Sequence, residues 1–525
     1  MNYRPLDVKS GFGTTSNVSL MPKLGENLLD LPQLLNTDYA QVIINYIPQR
    51  YGLDKRKGLD KIYEVAGANP ITLLKKFTND VWIFGYATTI ASYTISTDTV
   101  ADIKTDFSAN DGFGGGKYGD YFLVCNGVEK IWRMDNTTFT LAEIAASPEG
   151  TVGIKFIGAR CYAWYDDTIQ YSNVDDGSNP PFNDWDTGTD ADEGGTVNYR
   201  NAGDVRSVCQ LGQYTVGFSD DGFFAFILNT IDSAGTLKKI EVIQNYTEDF
   251  GGATGAIETP IGIFYVNEAG LNQMVEVGAT NSPYSRQDVL TSNLLGSKYF
   301  ESADQKQVDL VYDKKQNCIF ITLSKDSENN NLVIGYKLDQ KAFFRIKGWN
   351  INRWAKDGQD IYGASSIKTT VYKCFEGYDD DGLSIGTEYQ QELKIGNLWS
   401  KNKLKGGYIQ GFLSPDSEVF VSYNIYTEQG KPIEDKLKFL WTSQRREDEH
   451  AGFDASRFDR AAFDGSVDLG NMVENFSGNS GRISNMQRLI IKIKGGDKLH
   501  HIVNWLSCNV ENKGAIKRRD MQQIN

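Results

Sequence analysis

Tyr121 to Arg133 reads YFLVCNGVEKIWR: an apolar strand, an Asn-Gly turn region and a second strand carrying an aromatic. The unit returns without being copied. Arg160 to Ser172 is RCYAWYDDTIQYS, Tyr214 to Ile227 is YTVGFSDDGFFAFI, and Ile263 to Val275 is IFYVNEAGLNQMV. Asn317 to Leu338 and Asp360 to Phe375 have the same shape. Apolar runs split by a few Asn, Asp or Gly residues are hairpin signals. Repeated about every 40–50 residues, such hairpins point to the blades of a propeller. A propeller is a scaffold, so function has to be argued from what is attached to it.

Working outward from these hairpins gives seven blades: Ile71 to Phe107, Gly112 to Ile144, Val152 to Trp185, Val205 to Gln244, Thr254 to Leu290, Val308 to Ile346 and Trp354 to Glu388. The count falls to six if the chain ends combine into one closing blade. The acidic, glycine-rich stretch DWDTGTDADEGG, Asp184 to Gly195, reads as a loop between the third and fourth blades. Beyond residue 390 the character changes. Longer alternating strands, Leu404 to Phe412, Glu418 to Thr427, Lys436 to Trp441, Gln487 to Lys494 and His501 to Glu511, predict a β-sandwich.

The reading is therefore all-β: a propeller-like domain of six to seven blades followed by a β-sandwich. Residues 1–65 form an N-terminal arm with one strand (QVIINYI), 66–390 the propeller and 391–511 the sandwich. A loop insertion spans 443–484, and 512–525 form a flexible basic tail. The 52 glycines and 27 tyrosines fit this class, because turns use positive φ and pleated faces favour aromatics. The best helical candidates are weak: Asn27 to Leu35, broken by Pro32, and Gln287 to Phe300.

A net charge of −14 argues against general nucleic-acid binding, which needs a basic face. It fits a solubility charge or a wall that repels DNA. The six cysteines are far apart, mostly inside apolar strands and without CxxC spacing, so buried free thiols are expected. No run approaches the ~18 apolar residues of a membrane span, and no signal-peptide core opens the chain.

Chemistry is sought and mostly not found. Histidine occurs only at 450, 500 and 501, and His500, His501 and Cys508 do not match a zinc spacing. There is no GxSxG elbow. GFGGGKY, Gly112 to Tyr118, fails as a phosphate loop because Lys117 precedes Tyr, and it reads as a turn between blades. Asp166-Asp167, Asp220-Asp221 and Asp379-Asp380-Asp381 read as turn residues, since Asp tolerates left-handed backbone and bonds its own chain. An S-x-D-x-G box is absent. No catalytic residue, metal site or cofactor is assigned.

Four stretches carry a resemblance: GLDKRKGLDKIYEV from Gly52, KFIGARCYAWYDDTIQYSNVDDGSNPPFNDW from Lys155, VYKCFEGYDDDGLSIGTEYQQELKIGN from Val371, and GRISNMQRLIIKIKGGDKLHHIVNWLSCNVE from Gly481. Together they resemble the tail hub or nozzle proteins of short-tailed bacteriophages. The resemblance implies a structural virion protein, made in the host cytoplasm and placed in the tail. It implies a homohexameric ring below the portal and its adaptor, beside other tail proteins (needle, fibres or tailspikes). Double-stranded DNA would pass through the ring on ejection without specific binding, and no cofactor or membrane span is involved.

Three regions are candidates for that work. The Lys55, Arg56 and Lys57 turn, otherwise a solvated turn, would contact an adaptor or a neighbouring subunit. The carboxylates of Asp186, Asp190, Asp192 and Glu193 would face the lumen or the solvent. In GFDASRFDRAAFDG, the pairs Phe453-Asp454, Phe458-Asp459 and Phe463-Asp464 recur every five residues, a period of neither helix nor strand. That loop suits a projecting contact with aromatic anchors, and the resemblance does not cover it. Two other classes stay open: a propeller glycosidase or depolymerase, needing two acids about 5–10 Å apart at the axis, and a receptor-binding adhesin using the Phe-Asp loop.

Overall fold

The computed structural model describes residues 15–19, 25–27, 39–50, 52–67, 69–108, 112–175, 180–188, 192–198, 203–220, 222–231, 237–247, 255–267, 270–279, 282–288, 300, 308–394, 400–414, 417–426, 437–442, 472–476, 488–496 and 498–515. Among these there is no α-helix, and strands dominate. Most of both helical candidates, and the whole of the 443–471 stretch, lie outside the described residues.

Five blades are complete four-stranded antiparallel sheets in simple sequence order. Blade one is Ile71–Lys76, Val81–Tyr86, Thr89–Thr94 and Thr99–Lys104; blade two is Gly114–Tyr118, Tyr121–Cys125, Trp132–Asp135 and Leu141–Glu143. Blade three is Gly153–Ile157, Arg160–Tyr165, Thr168–Tyr171 and Gly195–Asn198. Blade four is Val205–Leu211, Tyr214–Ser219, Gly222–Ile231 and Leu237–Thr247; blade five is Ala256–Thr259, Gly262–Asn267, Gly270–Ala279 and Ser282–Asp288. Blade six, Asp309–Asp313, Cys318–Leu323, Leu332–Lys337 and Ala342–Lys347, is the start of a larger sheet. Blade seven takes Ile351–Asp357, Asp360–Ser365 and Thr370–Glu376 from one part of the chain and Gly58–Glu64 from the other end. The innermost strands touch in succession, and Ile351–Asp357 meets Ile71–Lys76, which closes a circle of seven.

Every blade is pressed between two neighbours, so both of its faces are buried. Cys318–Leu323 and Leu332–Lys337 are buried at every position. This is why the blade strands read as continuous apolar runs rather than as alternating ones. The core is correspondingly divided, with one apolar cluster at each blade–blade interface.

Several boundaries differ from the sequence reading, and the last strand, His501–Ala515, takes in residues 512–515, which that reading places in a flexible tail. The acidic stretch at 184–195 lies inside blade three, between its third and fourth strands, because Gly195–Asn198 supplies the outer edge. GGGKY is not a turn but the innermost strand of blade two. The seventh blade does not run to Glu388: the chain ends do combine, yet the count stays at seven because Gly58–Glu64 fills the fourth place.

The sandwich is joined to the propeller by hydrogen bonds as well as by chain. Val42–Ile44 pairs in parallel with the outer strand of blade six at Arg345, and on its other side with Thr387–Lys394. Arg488–Gly495, Glu418–Tyr426 and Leu437–Thr442 follow, giving one nine-stranded sheet. The second sheet holds Tyr46–Gln49, Gly52–Lys55, His501–Ala515, Ser400–Leu413 and Met472–Phe476, with Thr15–Ser19 on the far side of His501–Ala515. QVIINYI is thus two strands, not one. Asn45 breaks it with φ at 59°, a left-handed conformation that Asn tolerates. Residues 39–64 are no free arm: Ala40, Ile43, Tyr46, Ile47, Leu53 and Leu59 all sit in the core shared by blades six and seven and the sandwich.

Candidate functional site

The densest polar arrangement lies where the propeller meets the sandwich, and Arg56 is its centre. The Arg56 side chain is fully buried and grips Asp380 with two parallel bonds, Nη1 to Oδ1 at 2.8 Å and Nη2 to Oδ2 at 2.6 Å. Such bidentate pairs fix geometry as well as charge. Its Nε donates to Asn45 Oδ1 at 2.9 Å, and further bonds reach the carbonyls of Lys57 and Lys347. The guanidinium also lies 4.7 Å from the ring centre of Trp349, whose indole donates to Asp380 Oδ1 at 2.9 Å. Asn45 accepts from Lys347 N and donates to Gly386 O, so the residue that breaks the first strand also ties both modules to Arg56. Gly58 follows because the Asp379 carbonyl passes where a Cβ would stand.

This arrangement corrects the solvated-turn reading of Lys55-Arg56-Lys57. Lys55 is buried with its ammonium on the Leu499 carbonyl at 2.7 Å, and Arg56 is consumed internally. Of the three, Lys57 alone is exposed and available to a partner. Spacing could not reveal this, because the acceptors come from residues 45, 347, 380 and 499.

A second clamp holds residues 25–27. Glu26 is fully buried, accepts from Arg345 (Nε to Oε2, 2.8 Å) and from Ile43 N at 3.2 Å. Burial raises its pKa above the usual carboxylate range, with Arg345 pulling the other way. Beside the joint is a cavity of about 260 Å³ between the strands Tyr46–Gln49 and Gly52–Lys55 (Gln49, Asp54), with Lys57 just beyond them, and the turns of blades six and seven (Lys315, Gln316, Gln359). Lys315 is already paired to Asp360 at 2.7 Å, and Asp360 also holds Lys373.

The acidic loop sits at the outer rim of blade three. Asp186 and Asp192 are exposed there and Glu193 is half-buried, while the loop backbone is held by Arg160, which donates to the Ser172 and Glu193 carbonyls. Asp190 and the six Phe-Asp residues, Phe453, Asp454, Phe458, Asp459, Phe463 and Asp464, lie outside the described residues.

Around the propeller axis, charged side chains close over the exposed inner edges of the first strands. Lys155 of blade three reaches Glu258 of blade five at 2.5 Å, passing blade four, whose Gln210 N–H donates to the same carboxylate. Arg353 donates to the Thr72 carbonyl and Lys356 to that of Tyr312. Asp309 accepts from Trp354 N at 2.8 Å. Both acids are thus engaged, Asp309 in a strand-edge bond and Glu258 in a strand-edge bond and an ion pair.

Among the described residues no group of three His, Cys, Asp or Glu is placed to hold a metal. Asp379 accepts from Gly382 N and Asp381 has φ at 48°, the turn chemistry expected of them; Asp380 between them is instead the Arg56 partner. His500 pairs with Asp54 and stacks on Tyr378, while His501 is buried against Tyr46 and Thr387. Cys125, Cys161, Cys209, Cys318 and Cys374 are free and buried, and burial lifts the Cys209 thiol to about 11. No helix among the described residues is long and apolar enough to cross a membrane.

No family model matches the chain, and no curated protein matches it. Solved structures are similar at low level, two of them as follows. A chain in the crystal structure of the mitotic checkpoint complex aligns over 66% of this chain and 97% of its own, at 11% identity and a TM-score of 0.44. The computationally designed Ika8 protein aligns over 67% of this chain and 100% of its own, at 11% identity and a TM-score of 0.37.

Proposed function

We propose that the chain is a structural wall subunit, the tail hub or nozzle of a short-tailed bacteriophage, that works by shape and assembly rather than turnover. Six copies form a ring below the portal and adaptor, in contact with needle, fibres or tailspikes, and DNA passes between the subunits during ejection. The observation that carries this reading is the joint: the sandwich continues the sheet of blade six and shares its apolar core, so each subunit is a stiff two-part block. On the inner rim of each propeller Lys155 of blade three pairs with Glu258 of blade five, so charged side chains stand over that side of the axis. Lys57, the rim carboxylates Asp186 and Asp192, and the Phe-Asp loop are the surfaces such a ring would use. Electron microscopy of the purified chain mixed with portal and adaptor tests it. A sixfold ring on the tail axis is expected; monomers that never join the particle would sink the reading.

A further inference from the structure

Each first strand of a blade runs towards the same end of the axis, so its penultimate residues lie around one mouth of the propeller. On blades seven, one and two these residues are Lys356, Lys75 and Lys117, and on blade three Lys155 stands one place earlier. Four ammonium groups therefore occupy consecutive blades of a chain whose net charge is −14. Lys75, Lys117 and Lys356 are exposed. Lys356 and Lys117 lean across the inner rim rather than outward, and Lys75 acts electrostatically on Asp309 of blade six. Lys356 bonds the Tyr312 carbonyl of blade six at 2.9 Å, and Lys117 lies 5.9 Å from the Phe77 ring of blade one.

Among the described residues, neither Lys75 nor Lys117 has a carboxylate within ion-pair distance, although Lys75 feels Asp309 from farther off; Lys155 has Glu258. Like charges held on one rim repel one another. The strand that carries Lys117 begins Gly114-Gly115-Gly116, which strips side chains from that part of the wall. We propose that this mouth binds a compact multivalent oxyanion, of the pyrophosphate or citrate kind. Its oxygens would bridge Lys75 and Lys117 and reach Lys356, forming charge-assisted hydrogen bonds that remove the repulsion. This is the place where the GGGK stretch, which fails as a phosphate loop by its spacing, meets an anion through the fold instead.

Isothermal titration of the full chain with inorganic pyrophosphate at low ionic strength tests the site. One anion per chain is expected, with affinity falling steeply as salt rises. Lys75→Gln with Lys117→Gln should weaken binding at least tenfold without changing the melting curve of the free protein. Lys368→Gln, on the loops of the opposite mouth, should leave it unchanged. Citrate competing with pyrophosphate supports recognition by charge and shape. No heat at millimolar pyrophosphate, or equal binding by the double variant, would overturn the proposal.

Discussion

The interface between blades four and five and the interface between blades six and seven are built from the same kind of hairpin, yet they hold in different ways. Between blades four and five the core is a small cluster, with Val216, Phe218, Tyr265 and Met274 among its members, and all of its described members belong to the two blades. Between blades six and seven the cluster runs on into the sandwich, through Tyr46, Leu413, Val421 and Ile493. The first interface is a local contact between plates. The second is a joint that couples every element attached to it, and it is the one where buried charge is invested.

The sharpest way to break that contrast is at Arg56. Arg56→Ala leaves Asp380 and the Trp349 indole without their partner and should cost about 3–5 kcal/mol. Urea unfolding followed by Trp fluorescence should show the propeller and sandwich losing stability together; separate transitions with the sandwich unaffected would refute a shared joint. Met274→Ala, fully buried between blades four and five, should cost about 2–3 kcal/mol. Here hydrogen exchange should quicken in blades four and five only. Glu258→Gln removes a partly exposed ion pair, so about 0.5 kcal/mol is expected from melting curves at low salt, shrinking as salt rises.

The joint also carries two carboxyls of opposite pH behaviour. Lys315 holds the Asp360 carboxyl below its ordinary range, with Lys373 adding to the effect. That stabilisation is present above the unfolded pKa, about 3.9, and is lost as pH falls through the lower folded value. Glu26 is raised, so its contribution is complete below about pH 4.3 and is lost as pH rises through the folded value. Melting temperature against pH should therefore flatten on the acid side in Asp360→Asn and on the alkaline side of pH 4.3 in Glu26→Gln. The same profile in both variants would contradict the assignment.

Much of the fold was legible because hairpins are local. The second and third strands of each blade are joined by turns whose chemistry is written in adjacent residues, as at Asp166 with φ of 44°. What escaped was long-range. Nothing near Gly58–Glu64 says that its partner is Thr370–Glu376, and nothing near Arg56 says that Asp380 will lie beside it. The reading of blade three stopped at Trp185 because the acidic loop resembles a linker, whereas the blade recruits its outer strand from beyond it. The charged rim at the axis was equally hidden, since Lys75, Lys117, Lys155 and Lys356 are neighbours only once the circle is closed.

That closure has a consequence for how the molecule is made. Glu64 pairs with Thr370, so a strand finished early in synthesis must wait for a partner that emerges about 300 residues later. At typical ribosomal speeds this is a delay of about 15–60 s. Through that interval Gly58–Glu64 is an open edge with apolar Leu59 and Tyr63, the kind of surface that pairs with the wrong chain. High contact order of this sort also slows folding itself. A nascent chain stalled before residue 370 is thus predisposed to trade strands with its neighbour on the same messenger.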